Sequence, residues 1–308
     1  MSALRPSNVV TLADLLPVAQ RSEYAVGSFS PRYPRMVLPV LRAAQALSSP
    51  AIVQISQKDM LRCGVAVEDF AEAFYAALRD ERVGVPVTLH LDHTHDVAII
   101  RRAIHSSFTS VMIDASDLPL EQNIELTASV VELGHAAGVS VEGEIGTLGA
   151  FAFSETDETY SSTMTEPQEA GRFARESGVD AMAVSIGTMH GVRDGAAVNL
   201  DIDRLTAIRA QTDVPLVLHG GSGVPAEAMV KAIRIPGGGV SKVNLATDLE
   251  LAMLAALDST RRLRDDAIAA LGEDDLERAQ DAVERVTREK MTSFLLSAGR
   301  ARLPGATR

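Results

Sequence analysis

The chain has 308 residues, 46% of them apolar, with a formal net charge of −12 and a single cysteine, Cys63. The acidic balance argues against a nucleic-acid surface, and one thiol excludes a disulfide framework and a cysteine-based zinc site. No apolar run reaches the roughly 18–20 residues that span a bilayer, and residues 1–8 lack the basic-then-apolar pattern of a signal peptide, so a cytoplasmic protein with no membrane partner is expected.

Short apolar runs alternate with longer amphipathic ones. A first strand is predicted at 24–29, followed by a helix at 34–47. A second strand at 51–55 precedes a helix at 67–82, and a third at 87–91 precedes a helix at 96–106. The fourth strand is 110–113 with helix 120–137, and the fifth is 140–145. A long polar loop, 147–165, leads to a helix at 167–177, which Pro167 opens and Gly178 closes. The sixth strand, 181–185, is followed by a glycine-rich loop and a helix at 201–211. The seventh, 216–219, leads to a helix at 225–235, and the eighth, 240–245, to a helix at 247–257. Eight strand-then-helix units predict one (β/α)8 TIM-barrel domain over 1–308, with a helical extension at about 259–300. An open doubly wound sheet is the rival. It lacks support because Gly27-Ser28-Phe29-Ser30 stands where the dinucleotide fingerprint would follow the first strand.

Chemistry collects at the strand ends, where barrels build their sites. Asp92 and His93 end the third strand. His190 follows the sixth and His219 ends the seventh. A lone strand-end histidine is more often structural or solvated than ligating. Three at matching positions, two of them followed by glycine, suit a transition metal, with zinc and an open fourth position expected. His105 and His135 fall on helix patterns. His90 faces away from the residues flanking Asp92, in a core or supporting role.

Glycines and hydroxyls form a second cluster. Gly191, then Gly220-Gly221-Ser222-Gly223, then Asn244 to Asp248 offer accessible N–H groups, hydroxyls and a helix start, the elements of a phosphate cradle. Acids form a third. Asp114 ends the fourth strand, and Glu142 and Glu144 project to one face of the fifth. Glu155, Asp157 and Glu158 lie in the loop that follows. A metal, a phosphate site and loop acids together fit carbon–carbon bond chemistry on a phosphorylated keto sugar.

These residues stand in Tyr24-Ala25-Val26-Gly27-Ser28-Phe29, Leu89-His90-Leu91-Asp92-His93, Met112-Ile113-Asp114, Val141-Glu142-Gly143-Glu144-Ile145-Gly146, Gly187-Thr188-Met189-His190-Gly191, Leu218-His219-Gly220-Gly221-Ser222 and Lys242-Val243-Asn244-Leu245-Ala246-Thr247. In that order, from Leu12 to about Leu257, they resemble the class II, metal-dependent ketose-bisphosphate aldolases. The resemblance implies zinc on His93, His190 and His219, with Asp114 and Glu144 at an alternative or second metal position. It implies Asp92 as the acid–base residue at the substrate's C4 hydroxyl. Gly191, Gly220, Ser222, Asn244, Thr247 and Ser56 match groups that bind substrate and phosphate. A monovalent cation near the phosphate and a homodimer or homotetramer are further implications.

The chain departs from the family pattern at several points. Gly149 to Phe153 intervene before Glu155, the residue expected to donate the loop proton. Ser30, Arg32 and Tyr33 replace the usual asparagines, Gln57 and Lys58 follow the second strand, and Arg193-Asp194 stand where a lysine is common. Residues 235–239 resemble a short insertion. The activity implied is reversible cleavage of a phosphorylated ketose to dihydroxyacetone phosphate and an aldehyde. One alternative is a ketose phosphate whose far end is unphosphorylated (a deoxy-, sulfo- or inositol-derived sugar), with Arg32 and Lys58 serving another anion. The other is a non-catalytic sugar-phosphate-binding relative.

Overall fold

The computed structural model describes residues 5–147, 149–150, 163–190 and 198–302, with the side chains of 149, 150 and 190 excepted. Eight parallel strands close a barrel: β1 Val26–Phe29, β2 Ala51–Ser56, β3 Val87–Thr94, β4 Ser110–Ile113, β5 Ser140–Ile145, β6 Ala181–Val184, β7 Leu216–Leu218 and β8 Val240–Leu245. They pair in chain order, and β8 closes onto β1. The predicted TIM barrel and all eight predicted strands are therefore present.

The strand sequences explain the layering. One set of alternate residues faces the helices: Val53 and Ile55, Leu89 and Leu91, Val111 and Ile113, Met182 and Val184, and Val243 and Leu245 belong to the core between strands and helices. The other set points into the barrel. At its lower end Val26, Ile52, Ala181, Ala183 and Val217 form a separate apolar cluster with Leu12, Leu15, Leu16 and Ala19. Those last four lie on helix Leu12–Arg21, which sequence periodicity did not single out. The helix starts on a capping box, in which Thr11 and Asp14 satisfy each other's backbone N–H groups. Its apolar face plugs the bottom of the barrel.

Two more differences bear on the site. Helix Gln57–Cys63 directly follows β2; Ser56 Oγ caps it by accepting from Asp59 N at 3.0 Å, and Gly64 ends it at φ 75°. Strand β3 runs on to Thr94 rather than stopping at Leu91. Beyond the eighth strand, helix Thr247–Ala256 and the extension helices Asp265–Ala269 and Glu273–Glu289 precede a π-helical turn, Lys290–Phe294. The residues after it return beneath β1, where Leu295 accepts from Ala25 N at 3.0 Å.

The plug helix yields a direct test. Leu16 is fully buried in the lower cluster, so Leu16→Ala should cost roughly 2–5 kcal/mol through lost burial and the cavity left behind. Urea unfolding of the metal-free protein measures this; a loss below about 1 kcal/mol would show that the helix is not part of the core.

Candidate active site and metal centre

The upper half of the barrel interior is polar. Ser28, Gln54, His90, Asp92, Ser110, Glu142, Glu144, Lys242 and Asn244 are all buried on the strands, and His219 follows β7 immediately. Each is a polar interruption at an inward position of an otherwise apolar strand. Together they form a hydrogen-bonded layer directly beneath the barrel mouth.

Asp92 and His93 are neighbours in sequence, so strict alternation would send them to opposite faces. The pairing of β3 with β4 breaks between them: Leu91 stands opposite Val111, but Thr94 stands opposite Ile113. Two residues of β3 therefore oppose one of β4, which is a β-bulge. His93 sits there at φ 33°, a left-handed conformation that is strained for a non-glycine residue. The bulge turns its side chain inward beside that of Asp92. His90, two residues before Asp92, also faces the interior. The expected separation of His90 from the residues flanking Asp92 thus fails for His93, and the bulge is the reason.

Two amides hold Asp92. Asn244 Nδ2 donates to its Oδ1 at 3.0 Å and Gln54 Nε2 to its Oδ2 at 2.9 Å. Gln54 in turn accepts from Ser28 Oγ. Burial would raise the Asp92 pKa, but the charge of His93 foremost, then a hydrogen bond from His90 and the charges of Lys242 and His219, hold it well below the usual range. It stands as an oriented carboxylate, an acceptor. Sequence reasoning missed Gln54. Its signal was a lone amide in the apolar run of β2.

His93 Nδ1 lies 2.8 Å from Asp114 Oδ2 and 3.6 Å from Glu144 Oε2. His219 Nδ1 lies 3.1 Å from the same Glu144 oxygen, and its Nε2 lies 2.9 Å from Glu142 Oε1. The two imidazole rings are 4.3 Å apart. Burial disfavours the imidazolium of His93, yet Asp92, Asp114 and Glu144 raise its pKa to about 10. Burial, then Asp114, pushes Glu144 up. Such crowding of carboxylates around two imidazoles is the donor set of a cation site.

Among the described residues, three donor groups have ligand atoms within 4.8 Å of one another: Asp92–His93–His219, His93–Asp114–Glu144 and His90–Asp92–Glu142. The first two share His93 and outline one centre. The third already contains a cation, because Lys242 Nζ lies 2.9 Å from Glu142 Oε2 and 4.0 Å from Asp92 Oδ1.

The remaining predicted residues divide by location. Gly220, at φ 66°, turns the chain after β7; a side chain there would run into the Met189 carbonyl. The backbone leading to His190 thus passes against the His219 turn, while the His190 side chain lies outside the described residues, as do Glu155 and Gly191. Ser222 Oγ accepts from Asp248 N at 3.3 Å. Gly221 N donates to Asn244 O at 3.0 Å, beside the start of helix Thr247–Ala256. The glycine turn and Ser222 therefore lie against the start of the helix that Thr247 opens. Asn244 differs from the others in its contact: its amide reaches Asp92.

The family described as fructose-bisphosphate aldolase class-II matches residues 10–300. The chain belongs to the class II fructose-bisphosphate aldolase family. This aldolase is 36% identical over 295 residues to the 6-phospho-5-dehydro-2-deoxy-D-gluconate aldolase of Bacillus subtilis strain 168, covering 95% of this chain and 97% of the relative. It is 35% identical over 268 residues to the fructose-bisphosphate aldolase of Giardia intestinalis, covering 80% of this chain and 81% of that one. The crystal structure of the YdjI aldolase from Escherichia coli K12 superposes with a TM-score of 0.80 at 28% identity, covering 96% of this chain and all of that one. The chain is thus a carbon–carbon lyase, and the non-catalytic reading falls away. Among the described residues no helix is long and apolar enough to cross a membrane.

The rim of this aldolase carries one correction. Arg32 does not stand open to an anion: it is 7% exposed and is bound by Asp59 Oδ1 at 3.1 Å and by Glu250. Glu250 also accepts two bonds from Arg262, at 2.6 and 3.0 Å. This network ties the segment after β1 to helices Gln57–Cys63 and Thr247–Ala256. Lys58 lies exposed on the first of those helices.

Glu250→Ala should leave the Arg32 guanidinium short of a buried counter-charge and cost roughly 3–5 kcal/mol. A fall in melting temperature of roughly 5–10 °C is expected. An unchanged melting temperature would show that Asp59 alone suffices.

Proposed function

We propose that the protein is a zinc-dependent aldolase that cleaves a phosphorylated ketose reversibly to dihydroxyacetone phosphate and an aldehyde. The observation that carries this reading is the convergence of His93, His219, Asp114 and Glu144 beside a carboxylate, Asp92, held by two amides. His93, His219 and His190 would hold the zinc, with Asp114 and Glu144 at an alternative or second position. The bound ion supplies Lewis acidity at the substrate carbonyl.

The chain's own residues carry the remaining steps. Asp92 accepts the proton of the C4 hydroxyl as the C3–C4 bond breaks. Gln54 and Asn244 donate to its two oxygens and so fix the carboxylate toward that proton. Gly191, Gly220, Ser222, Asn244 and Thr247 bind the phosphorylated half, supported by the nearby helix N-terminus, and Ser56 is a further substrate contact. A monovalent cation is proposed beside that phosphate. Glu155 returns a proton to the carbon left by cleavage.

A second reading concerns the far end of the substrate. Arg32 is neutralised by Asp59 and Glu250, which favours a ketose phosphate whose distal end carries no second phosphate. The 6-phospho-5-dehydro-2-deoxy-D-gluconate aldolase relative, matched over nearly its whole length, points the same way.

A substrate panel separates the readings. With zinc-loaded protein, dihydroxyacetone phosphate release is followed from fructose and tagatose bisphosphates and from single-phosphate ketoses, inositol-derived ones included. Preference for single-phosphate ketoses supports the second reading, preference for bisphosphates removes it, and release from none sinks the proposal. Asp92→Ala should lower cleavage by roughly 10²–10⁴ while zinc content stays at the wild-type level.

Zinc uptake should also depend on pH. His93, with its pKa raised to about 10, holds a proton at neutral pH in the metal-free protein. Zinc must displace that proton, so affinity should rise with pH from about 7 toward 10. Calorimetry in buffers of different ionisation enthalpy should show proton release; uptake without any would contradict it.

A further inference from the structure

Among the described residues, two fully buried charges lie outside the proposed ligand set. Lys242 and Glu142 are both 0% exposed, inside the barrel. Lys242 Nζ lies 2.9 Å from Glu142 Oε2 and 3.1 Å from Oε1. A fully desolvated ion pair is a weak source of stability, because the desolvation of both ions offsets their attraction. Its place in the fold therefore calls for another reason. The other face of Glu142 supplies one: Oε1 is also 2.9 Å from His219 Nε2.

The imidazole of His219 thus has two differentiated ends. Nε2 points down to Glu142, and Nδ1 points up to Glu144, 3.1 Å away, within the proposed metal centre. A neutral imidazole carries one proton, and only the unprotonated nitrogen can bind a metal. A carboxylate fixed at Nε2 demands a donor there. Lys242 keeps Glu142 a carboxylate, because its ammonium lies within 3.1 Å of both carboxylate oxygens in a site closed to water.

We propose that Glu142 and Lys242 are positioning residues for His219: Glu142 accepts its Nε2–H and so commits Nδ1 to the metal, and Lys242 fixes Glu142 in that role. One lysine thereby supports both halves of the site, since its ammonium also stands 4.0 Å from Asp92 Oδ1. The inference rests on the metal reading above. It concerns the tautomer and orientation of one ligand and requires no contact between Lys242 and substrate.

Two charge-balanced double variants test it. Glu142→Gln with Lys242→Met removes the ion pair but keeps a carbonyl that can accept from His219 Nε2–H. Glu142→Leu with Lys242→Met removes the acceptor too. Neither leaves a lone buried charge, and melting of the metal-free forms checks folding. Zinc affinity is then measured with zinc ion alone, by competition with a chromophoric chelator. The Gln/Met variant should bind within about threefold of wild type, and the Leu/Met variant roughly 10–100-fold more weakly. Equal affinities for the two would overturn the inference. A wild-type protein that takes up no zinc would instead sink the metal reading itself. Long-range nitrogen–proton correlation spectra of zinc-loaded wild-type protein give a check that needs no variant. They should show His219 protonated on Nε2, and a spectrum with the proton on Nδ1 would be equally decisive against it.

Discussion

The β-bulge at Asp92–His93 is the constraint from which the site follows. Without it, a strand can aim only every second residue inward, and the proposed proton acceptor and metal ligand could not share one strand end. With it, the two side chains stand side by side, and the cost is a histidine held at φ 33°. A strained residue of this kind costs of order 1–3 kcal/mol and persists only where its surroundings fix it. Those surroundings are visible: His93 Nδ1 is tied to Asp114, and its backbone N–H approaches Met112 Sδ at 3.4 Å.

Charge explains the next layer. Among the described residues, Asp92, Asp114, Glu142 and Glu144 bring four buried or nearly buried carboxylates into the upper barrel, against one permanent cation, Lys242. The pairing is unequal by design of position. Lys242 sits low, against Glu142, where it meets the foot of His219. Among the described residues, the carboxylates above it, Asp114 and Glu144, have imidazoles as their only ion-pair partners. In the metal-free protein those carboxylates, with Asp92, raise the pKa of His93 and so favour its protonated form. A divalent cation at the same place answers the same excess of negative charge. The barrel interior therefore separates a cation that belongs to the fold from a position suited to an exchangeable one.

The strands were legible because alternation of inward and outward residues leaves a strong period-two signal, and the eight predicted strands all form. Glu142 and Glu144 were legible as one face for the same reason. The joint inward aim of Asp92 and His93 was not legible, because a bulge lies in the register between two strands and has no local signature. Lys242 and Gln54 carried a signal of a different kind: a polar side chain at an inward position of an apolar barrel strand must find partners there. Arg32 was misread as an open anion site. Its partners, Asp59 and Glu250, come from two other helices, and no short-range pattern pairs them. Helix Leu12–Arg21 was passed over because it precedes the first strand and so stands outside the repeating unit.

Two of the buried cations among the described residues, Arg32 and Lys242, solve one physical problem at different heights in the barrel. Each is removed from water and held by acids drawn from distant elements, and neither is left free to bind an anion. Arg32 ties together the segments that frame the mouth, whereas Lys242 acts on the floor beneath His219. A second phosphate dianion would need uncompensated positive charge near the mouth, and the Arg32–Asp59–Glu250–Arg262 network sums to zero. The charge that organises the rim is thus spent within it. That balance, more than any single missing residue, is what supports the proposed substrate whose far end is less highly charged than a phosphate.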